Sequence, residues 1–214
     1  MLPLKIVLLI IWAFFVGYIL QLQPLEQSGT LTLIEKMVKL QLNEVNAYAF
    51  TLFSFMGVWP LIYACLMFID ERMQPIPAWP SFLASNGSGV IGMMPYILLR
   101  ESRPYFLGKK DWLIKLLDSR LTGIALLIST IGLIIYALYS GNFDEFIKQW
   151  QTSRFLYLMS LDFALMYLVF PTLLGDDMAR RGWHDSRIFW AVAIVPLLGP
   201  LVYLSIRPPL PETE

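Results

Sequence analysis

The sequence has almost none of the residues from which proteins build covalent or metal-held frameworks. Its 214 residues include one cysteine, Cys65, and one histidine, His184. A single cysteine excludes a disulfide framework and any multi-cysteine metal site, and one histidine leaves little material for zinc, haem or di-iron ligation. We therefore predict no metal centre of these types, and the sequence identifies no cofactor.

Charge is also scarce. Charged residues make up 15% of the chain, against about 25% in a typical soluble domain. The 16 Lys and Arg residues balance 16 Asp and Glu residues, so the chain lacks the basic surface that a nucleic-acid partner requires. Apolar residues make up 57%, and the mean hydropathy is +0.61. These values predict a multi-pass membrane protein whose surroundings are the lipid bilayer.

The apolar residues are concentrated in long runs. A membrane helix needs about 20 predominantly apolar residues. Five runs contain no charged residue and a sixth contains only Asp162; the six are 6–20, 47–69, 80–99, 121–140, 155–174 and 188–206. We predict an all-α bundle of six transmembrane helices, with one integral membrane domain over 1–207 and a short tail at 208–214. The first run could instead be a signal peptide, but no clear small-x-small cleavage site follows it, which favours a retained helix.

Three connecting segments have the pattern of amphipathic helices. They are 31–42, 111–120 and 143–154, and the last places Phe143, Phe146, Ile147 and Trp150 at the i, i+3, i+4, i+7 spacing of an apolar stripe. Such helices lie in the headgroup plane of a membrane or pack against the bundle or a partner protein. The sequence alone does not separate these alternatives.

Basic residues in short loops predict the orientation, because Lys and Arg are retained on the cytoplasmic side. Six of the 16 lie in the third loop of the six-span scheme: Arg100, Arg103, Lys109, Lys110, Lys115 and Arg120. This loop is therefore predicted to be cytoplasmic. With six spans, both termini then lie on the opposite side of the membrane.

The fifth loop carries a dense charged motif, formed by Asp176, Asp177, Arg180, Arg181, His184 and Asp185. Its acidic residues could hold a divalent cation, and through it a diphosphate. In this respect the motif loosely resembles the aspartate-rich motifs of membrane prenyl-transfer enzymes, although a second such motif is missing. The alternatives are a partner-docking site or two exposed i, i+4 ion pairs at a helix start, each contributing about 0.3–0.5 kcal/mol. We favour the ion pairs, Asp176 with Arg180 and Asp177 with Arg181.

Two polar features lie within the predicted spans. Asp162 is an ionisable group at membrane depth and is expected to face the bundle interior, as a structural contact or as a ligand or proton site. The third span contains Ser85-Asn86-Gly87-Ser88-Gly89, whose small residues favour close helix packing, with Asn86 and Ser88 available for polar contacts. Six-span topology places Asn86 and Asp162 in one layer. It predicts that Asp162 meets Asn86 or an arginine: Arg72, Arg154 or Arg207.

After the Asp-Asp-x-x-Arg-Arg-Gly-Trp loop, the C-terminal stretch reads Gly199-Pro200-Leu201-Val202-Tyr203-Leu204-Ser205-Ile206-Arg207-Pro208. This stretch resembles the tails of small polytopic membrane proteins of cyanobacteria and plastids. The resemblance implies a thylakoid or cyanobacterial inner membrane and a role near photosynthesis, and it implies no catalytic residues. Our leading hypothesis is a non-catalytic assembly, scaffold or partner-binding factor attached to a larger membrane complex. The alternative is a membrane-embedded enzyme acting on an isoprenoid, a carotenoid or a lipid.

Overall fold

The computed structural model describes residues 2–21 and 29–212, and within these ranges the chain forms helices and connecting loops without strands. A 3-10 helix, Leu42–Glu44, precedes the third α-helix. The α-helices in chain order are α1 (Leu2–Gln21), α2 (Thr30–Val38), α3 (Ala47–Glu71), α4 (Trp79–Ser88), α5 (Val90–Leu99), α6 (Trp112–Asp118), α7 (Arg120–Ser140), α8 (Phe143–Thr152), α9 (Arg154–Val169), α10 (Pro171–Arg180), α11 (Ser186–Ile194) and α12 (Leu198–Ile206).

Four helical segments of the described chain are long and apolar enough to cross a membrane. They are α1, α3, α7 and the 27-residue segment formed by α9 and α10 together. Several helix starts have a side chain that accepts a hydrogen bond from the first turn: Asn46 for α3, Ser119 for α7 and Ser153 for α9. The prediction of an all-α fold is therefore confirmed for the described residues, and the four segments are compatible with an integral membrane protein.

The predicted third span is a helical hairpin. Helix α4 ends at Ser88, Gly89 adopts a positive φ of 55°, and α5 then returns along α4. The two helices lie so close that a Cβ on Gly92 would fall 2.7 Å from the backbone nitrogen of Ser85. Near the start of α4, Phe82 packs on Phe68 of α3, while near the end of α5, Tyr96 contacts the same turns of α3 through Met67. The hairpin therefore begins and ends on one face of the bundle.

The predicted sixth span is a second hairpin. Helix α11 ends before Val195-Pro196, Leu197 has a positive φ of 61°, and α12 runs back beside α11. The ring of Trp183, before α11, packs on Tyr203 near the end of α12, and Arg181 donates to the backbone oxygen of Pro208. This hairpin also starts and ends on one face.

The two hairpins change the topology expected from six crossings, and the six-span count is not confirmed. Lys5 near the start of α1 donates to the backbone oxygen of Arg100, 2.6 Å away, and Arg120 donates to the backbone oxygen of Arg207. The residues next to both termini thus lie on the same face as the third loop of the six-span scheme. The prediction that they lie opposite this loop is wrong, because segments 79–99 and 186–206 return to the face from which they start.

All three predicted amphipathic connectors form helices. The apolar stripe of α8 packs against the bundle: Phe143 and Phe146 contact the ring of Tyr48 at the start of α3. In α2, Met37 is buried. In α6, Ile114 is buried whereas Trp112 is 76% exposed, so this helix turns only part of its apolar surface toward the protein.

Candidate functional site

The charged face of the molecule is the face on which both hairpins begin and end. It holds a set of buried acidic and basic side chains that we call the ion-pair network: Asp70, Arg100, Asp118, Asp176, Asp177, Arg180, Arg181 and Arg207. These residues come from the ends of α3, α5, α6, α10 and α12. The network has two parts, the Asp70 cluster and the Asp177 cluster, which are joined through neighbouring residues of α10.

The Asp70 cluster ties α3 to α5 and α10. The Asp70 carboxylate is fully buried and accepts two hydrogen bonds from Arg100, at 2.7 and 2.8 Å, and one from Tyr96 at 2.7 Å. Arg180 pairs with the same carboxylate. Arg100 also pairs with Asp176, so one guanidinium connects the first hairpin to two crossing segments.

The Asp177 cluster ties α10 to α6 and α12. Asp177 is fully buried and accepts from Arg181 at 2.9 and 3.2 Å, from Arg207 at 3.0 Å and from the Tyr203 hydroxyl at 2.6 Å. Arg181 also donates to Asp118, 2.6 Å away. Two guanidinium groups and a phenol thus surround one carboxylate, and this contact holds the second hairpin in place.

The network corrects our interpretation of the charged loop motif. The i, i+4 pair Asp177–Arg181 is present, but it is buried instead of exposed. The pair Asp176–Arg180 is not formed, because Asp176 bonds to Arg100 and Arg180 bonds to Asp70. Spacing along one helix predicts which pairs can form, and partners from other segments compete for the same side chains.

The remaining members of the motif do not join these carboxylates. His184 is exposed, and Asp185 accepts from the backbone nitrogen of Arg187 at the start of α11. Within residues 2–21 and 29–212, no group of three or more His, Cys, Asp or Glu side chains is arranged to hold a metal ion. The cation-binding interpretation of the motif thus receives no geometric support.

Sequence reasoning missed Asp70, Arg100 and Arg207 as network members. Each ends an apolar run, where a charge is ordinarily interpreted as a membrane boundary. Complete burial of three such end residues, with relative exposures of 0–2%, is the unexpected feature. The hairpins explain it, since they bring all of these ends to one face.

Residues 208–212, predicted as part of a short tail, pack against the network. Leu210 is buried, and its backbone nitrogen donates to Asp118 at 3.2 Å. Lys110 bridges the same region, because its Nζ lies 3.2 Å from Asp118 and 3.0 Å from the backbone oxygen of Leu210. Asp118 therefore anchors the last described residues to α6.

Acidification should release this C-terminal anchor. Burial alone would raise the pKa of the Asp118 carboxyl. The charges of Arg181 and Arg207, with the hydrogen bonds from Arg181 and the Leu210 amide, together outweigh burial and lower this pKa below its ordinary value. A lowered folded-state pKa gives stabilisation that is complete above the unfolded pKa of about 3.9, and that is lost as pH falls through the folded value. We expect the Leu210 amide to lose hydrogen-exchange protection, corrected for intrinsic rates, below about pH 4.

The variant Asp118→Asn should show the unprotected Leu210 amide already at neutral pH and should lack the acid-dependent step. Asp144→Asn, in the exposed first turn of α8, is the control and should behave as the wild type. A Leu210 amide equally protected in Asp118→Asn and in the wild type at pH 7 would contradict this role of Asp118.

Asp162 lies in α9 against the tip of the first hairpin. Its Oδ1 accepts from the backbone nitrogen of Val90, 2.7 Å away, at the first residue of α5. A negative group at this position is favoured by the exposed N–H groups and dipole of the helix start. Asp162 therefore faces another element of the bundle, but it accepts its hydrogen bond from a backbone amide instead of from Asn86 or an arginine side chain, the partners predicted from the sequence.

Asn86 and Ser88 do not contact Asp162 directly. Asn86 Nδ2 donates to the backbone oxygen of Phe82, 2.7 Å away, and Ser88 donates to that of Ala84 at 2.8 Å. Both side chains are exposed and satisfy their own helix. Asn86 and Asp162 approach the middle of the bundle from opposite faces, so the argument from a shared entry face is wrong.

Comparison of the chain with protein-family models, curated proteins and solved structures finds no match.

Proposed function

We propose that the protein is a non-catalytic membrane factor that binds or scaffolds a larger membrane protein complex. The observation that supports this proposal is the use of the acidic residues. Asp70, Asp118, Asp176 and Asp177 are paired with arginine side chains inside the ion-pair network. Asp162 caps the start of α5. The carboxylates that catalysis would need are thus used to connect helices.

Rigid attachment of the hairpins suits a scaffold. Arg100 ends the first hairpin and Arg207 ends the second, and each is held by carboxylates of crossing segments. Breaking such a buried pair by removing one partner costs about 3–5 kcal/mol. The charged face therefore behaves as one unit that can present a fixed surface to a partner.

For the orientation, we propose that the charged face is cytoplasmic. Of the 16 basic residues, four lie on the opposite face or near it: Lys36, Lys39, Lys148 and Arg154. The other twelve lie on the charged face, and an excess of Lys and Arg marks the cytoplasmic side. We place the protein in a photosynthetic membrane on the resemblance of its C-terminal stretch alone.

The alternative, an enzyme acting on an isoprenoid, a carotenoid or a lipid, makes a different prediction for the same residues. If Asp176 were catalytic, Asp176→Asn would abolish turnover in protein that remains folded. If Asp176 is structural, Asp176→Asn lowers the amount of folded protein, because Arg100 loses one of its partners, and each folded molecule still enters the complex.

In the experiment, native membranes with wild type or Asp176→Asn are extracted in mild detergent. The size of the assembly that contains the protein is then measured, and its amount is divided by the amount of folded protein. We expect both proteins to run in an assembly larger than the 24.6 kDa chain. A monodisperse wild-type monomer that turns over a lipid or isoprenoid substrate, with turnover lost in folded Asp176→Asn, would overturn the proposal.

A further inference from the structure

An apolar groove lies on the half of the bundle opposite the charged face. It has a volume of about 460 Å³ and is bounded by α3, α8 and α9. Its lining, which defines the aromatic groove, is Tyr48, Thr51, Leu52, Phe55, Phe146, Ile147, Trp150, Ser160 and Phe163. Helix α8 covers the end of the groove that lies near the start of α3.

The groove lies beyond the tip of the second hairpin. The hydroxyl of Tyr167 donates to the backbone oxygen of Ile194, 3.0 Å away, at the end of α11. Phe163 precedes Tyr167 by four residues, so it lies one turn farther from the charged face on the same side of α9. The second hairpin stops at this level, and the groove beyond it is bounded by α3, α8 and α9.

The lining favours an apolar chain. Five of its nine side chains are aromatic, and two of the three hydroxyl groups are already engaged. Thr51 donates to the backbone oxygen of Leu133, while Ser160 donates to that of Leu156 and accepts from Trp150. No charged side chain lines the groove, so it offers a bound segment mainly van der Waals and aromatic contacts. Tyr48, the second residue of α3, lies at the end that faces the membrane surface.

The volume and the lining together indicate the occupant. The groove volume of about 460 Å³ lies within the range of about 300–1,000 Å³ that is typical of pockets for small ligands. An α-helix of a partner is about 10–12 Å wide with its side chains, so it would rest on the opening of the groove, whereas a single alkyl or isoprenoid chain is narrow enough to enter it. We propose that the aromatic groove binds one alkyl or isoprenoid chain of a membrane amphiphile, with the polar end of the amphiphile near Tyr48.

The test uses photoreactive chains in vesicles of phosphatidylcholine. One arm uses a diazirine-bearing fatty acid and the other a diazirine-bearing isoprenoid alcohol, and labelled residues are identified by mass spectrometry. The variants that fill the groove are Leu52→Trp and Ser160→Phe. Ser129→Phe is the control, because Ser129 is also a serine that donates to a backbone oxygen four residues earlier, at 2.8 Å, but it lies exposed on α7.

We expect saturable labelling at groove residues of α3 and α9 in wild type and in Ser129→Phe, and its loss in both filling variants. Labelling by one probe alone identifies the chain class, and labelling by both identifies a site for either chain. Thermal unfolding of each variant checks that it is folded under the labelling conditions. Labelling that does not saturate, that follows the exposed surfaces of α1 and α7, or that persists in both folded filling variants would overturn the proposal.

Discussion

Asp177→Asn should lower the free energy of unfolding by about 3–5 kcal/mol, the usual cost of breaking a buried ion pair. Asp177 is fully buried and is the acceptor for both Arg181 and Arg207. An amide keeps the shape of the carboxylate but removes the negative charge, so Arg207 is left buried without a counter-charge. The measurement is unfolding of purified protein by titration with a denaturing detergent.

The chain provides a matched control for this variant. Glu35 and Lys39 also form an i, i+4 ion pair, but their side chains are 59% and 61% exposed. Glu35→Gln should therefore cost no more than about 0.5 kcal/mol. Equal small losses for Asp177→Asn and Glu35→Gln would mean that the Asp177 cluster does not stabilise the fold.

A double variant distinguishes the loss of the ion pair from the loss of side-chain packing at the same buried position. Asp177→Leu combined with Arg207→Met replaces two charged side chains by apolar ones of comparable length. Because replacement of both partners avoids an unpaired buried charge, the double variant should be less destabilised than the sum of its single variants. Strict additivity would contradict a direct interaction between the two residues.

Gly89→Ala should prevent the first hairpin from closing against α9. A Cβ on Gly89 would overlap the carboxylate of Asp162, and the backbone there has φ 55° and ψ −129°. L side chains rarely adopt this conformation, so strain adds to the overlap. We expect loss of folded protein, measured as the monodisperse fraction after purification and as detergent-induced unfolding.

Gly87→Ala is the control, because a Cβ on Gly87 meets nothing within 4 Å. Since Ala is favoured over Gly within a helix by about 0.5–1 kcal/mol, this variant should be as stable as wild type or slightly more so. Asp162→Ala in the Gly89→Ala background removes the overlap but not the backbone strain, and it should restore part of the folded fraction. Normal folding of Gly89→Ala would show that the hairpin turn is not packed as described.

The helical segments could be predicted from the sequence because membrane helices have a clear length and composition. Segments 6–20, 47–69, 121–140 and 155–174 each coincide with a helical segment that is long and apolar enough to cross a membrane. Length and hydropathy do not show where a run reverses direction. Residues 80–99 reach span length as two helices joined at Gly89, and 188–206 do so as two helices joined around Pro196. Glycine and proline in the middle of these runs were the available signals, since interrupted apolar segments often mark broken helices.

The errors at the candidate site follow from the same cause. With segment 80–99 treated as a crossing helix, Arg100 lies on the membrane side opposite the end of α3, and its contact with Asp70 could not be foreseen. The pair Asp177–Arg181 depends only on helix spacing and was predictable. The contacts of Asp70 with Arg100 and of Asp177 with Arg207 join residues 30 positions apart, so they depend on how the hairpins fold.

Segments 79–99 and 186–206 each return to the face from which they start, and labelling of introduced cysteines from the two sides of the membrane tests this topology. The variants Pro77→Cys and Lys109→Cys lie on the two sides of the first segment, and Ser186→Cys and Pro209→Cys lie at the two ends of the second. Lys39→Cys marks the opposite face. All five positions are exposed. The native Cys65 is 1% exposed and contributes little background. A membrane-impermeant maleimide applied to sealed vesicles of known orientation should label the four flanking positions from one side and Lys39→Cys from the other. Labelling of either member of a flanking pair from the Lys39 side would show that its segment crosses the membrane instead of returning.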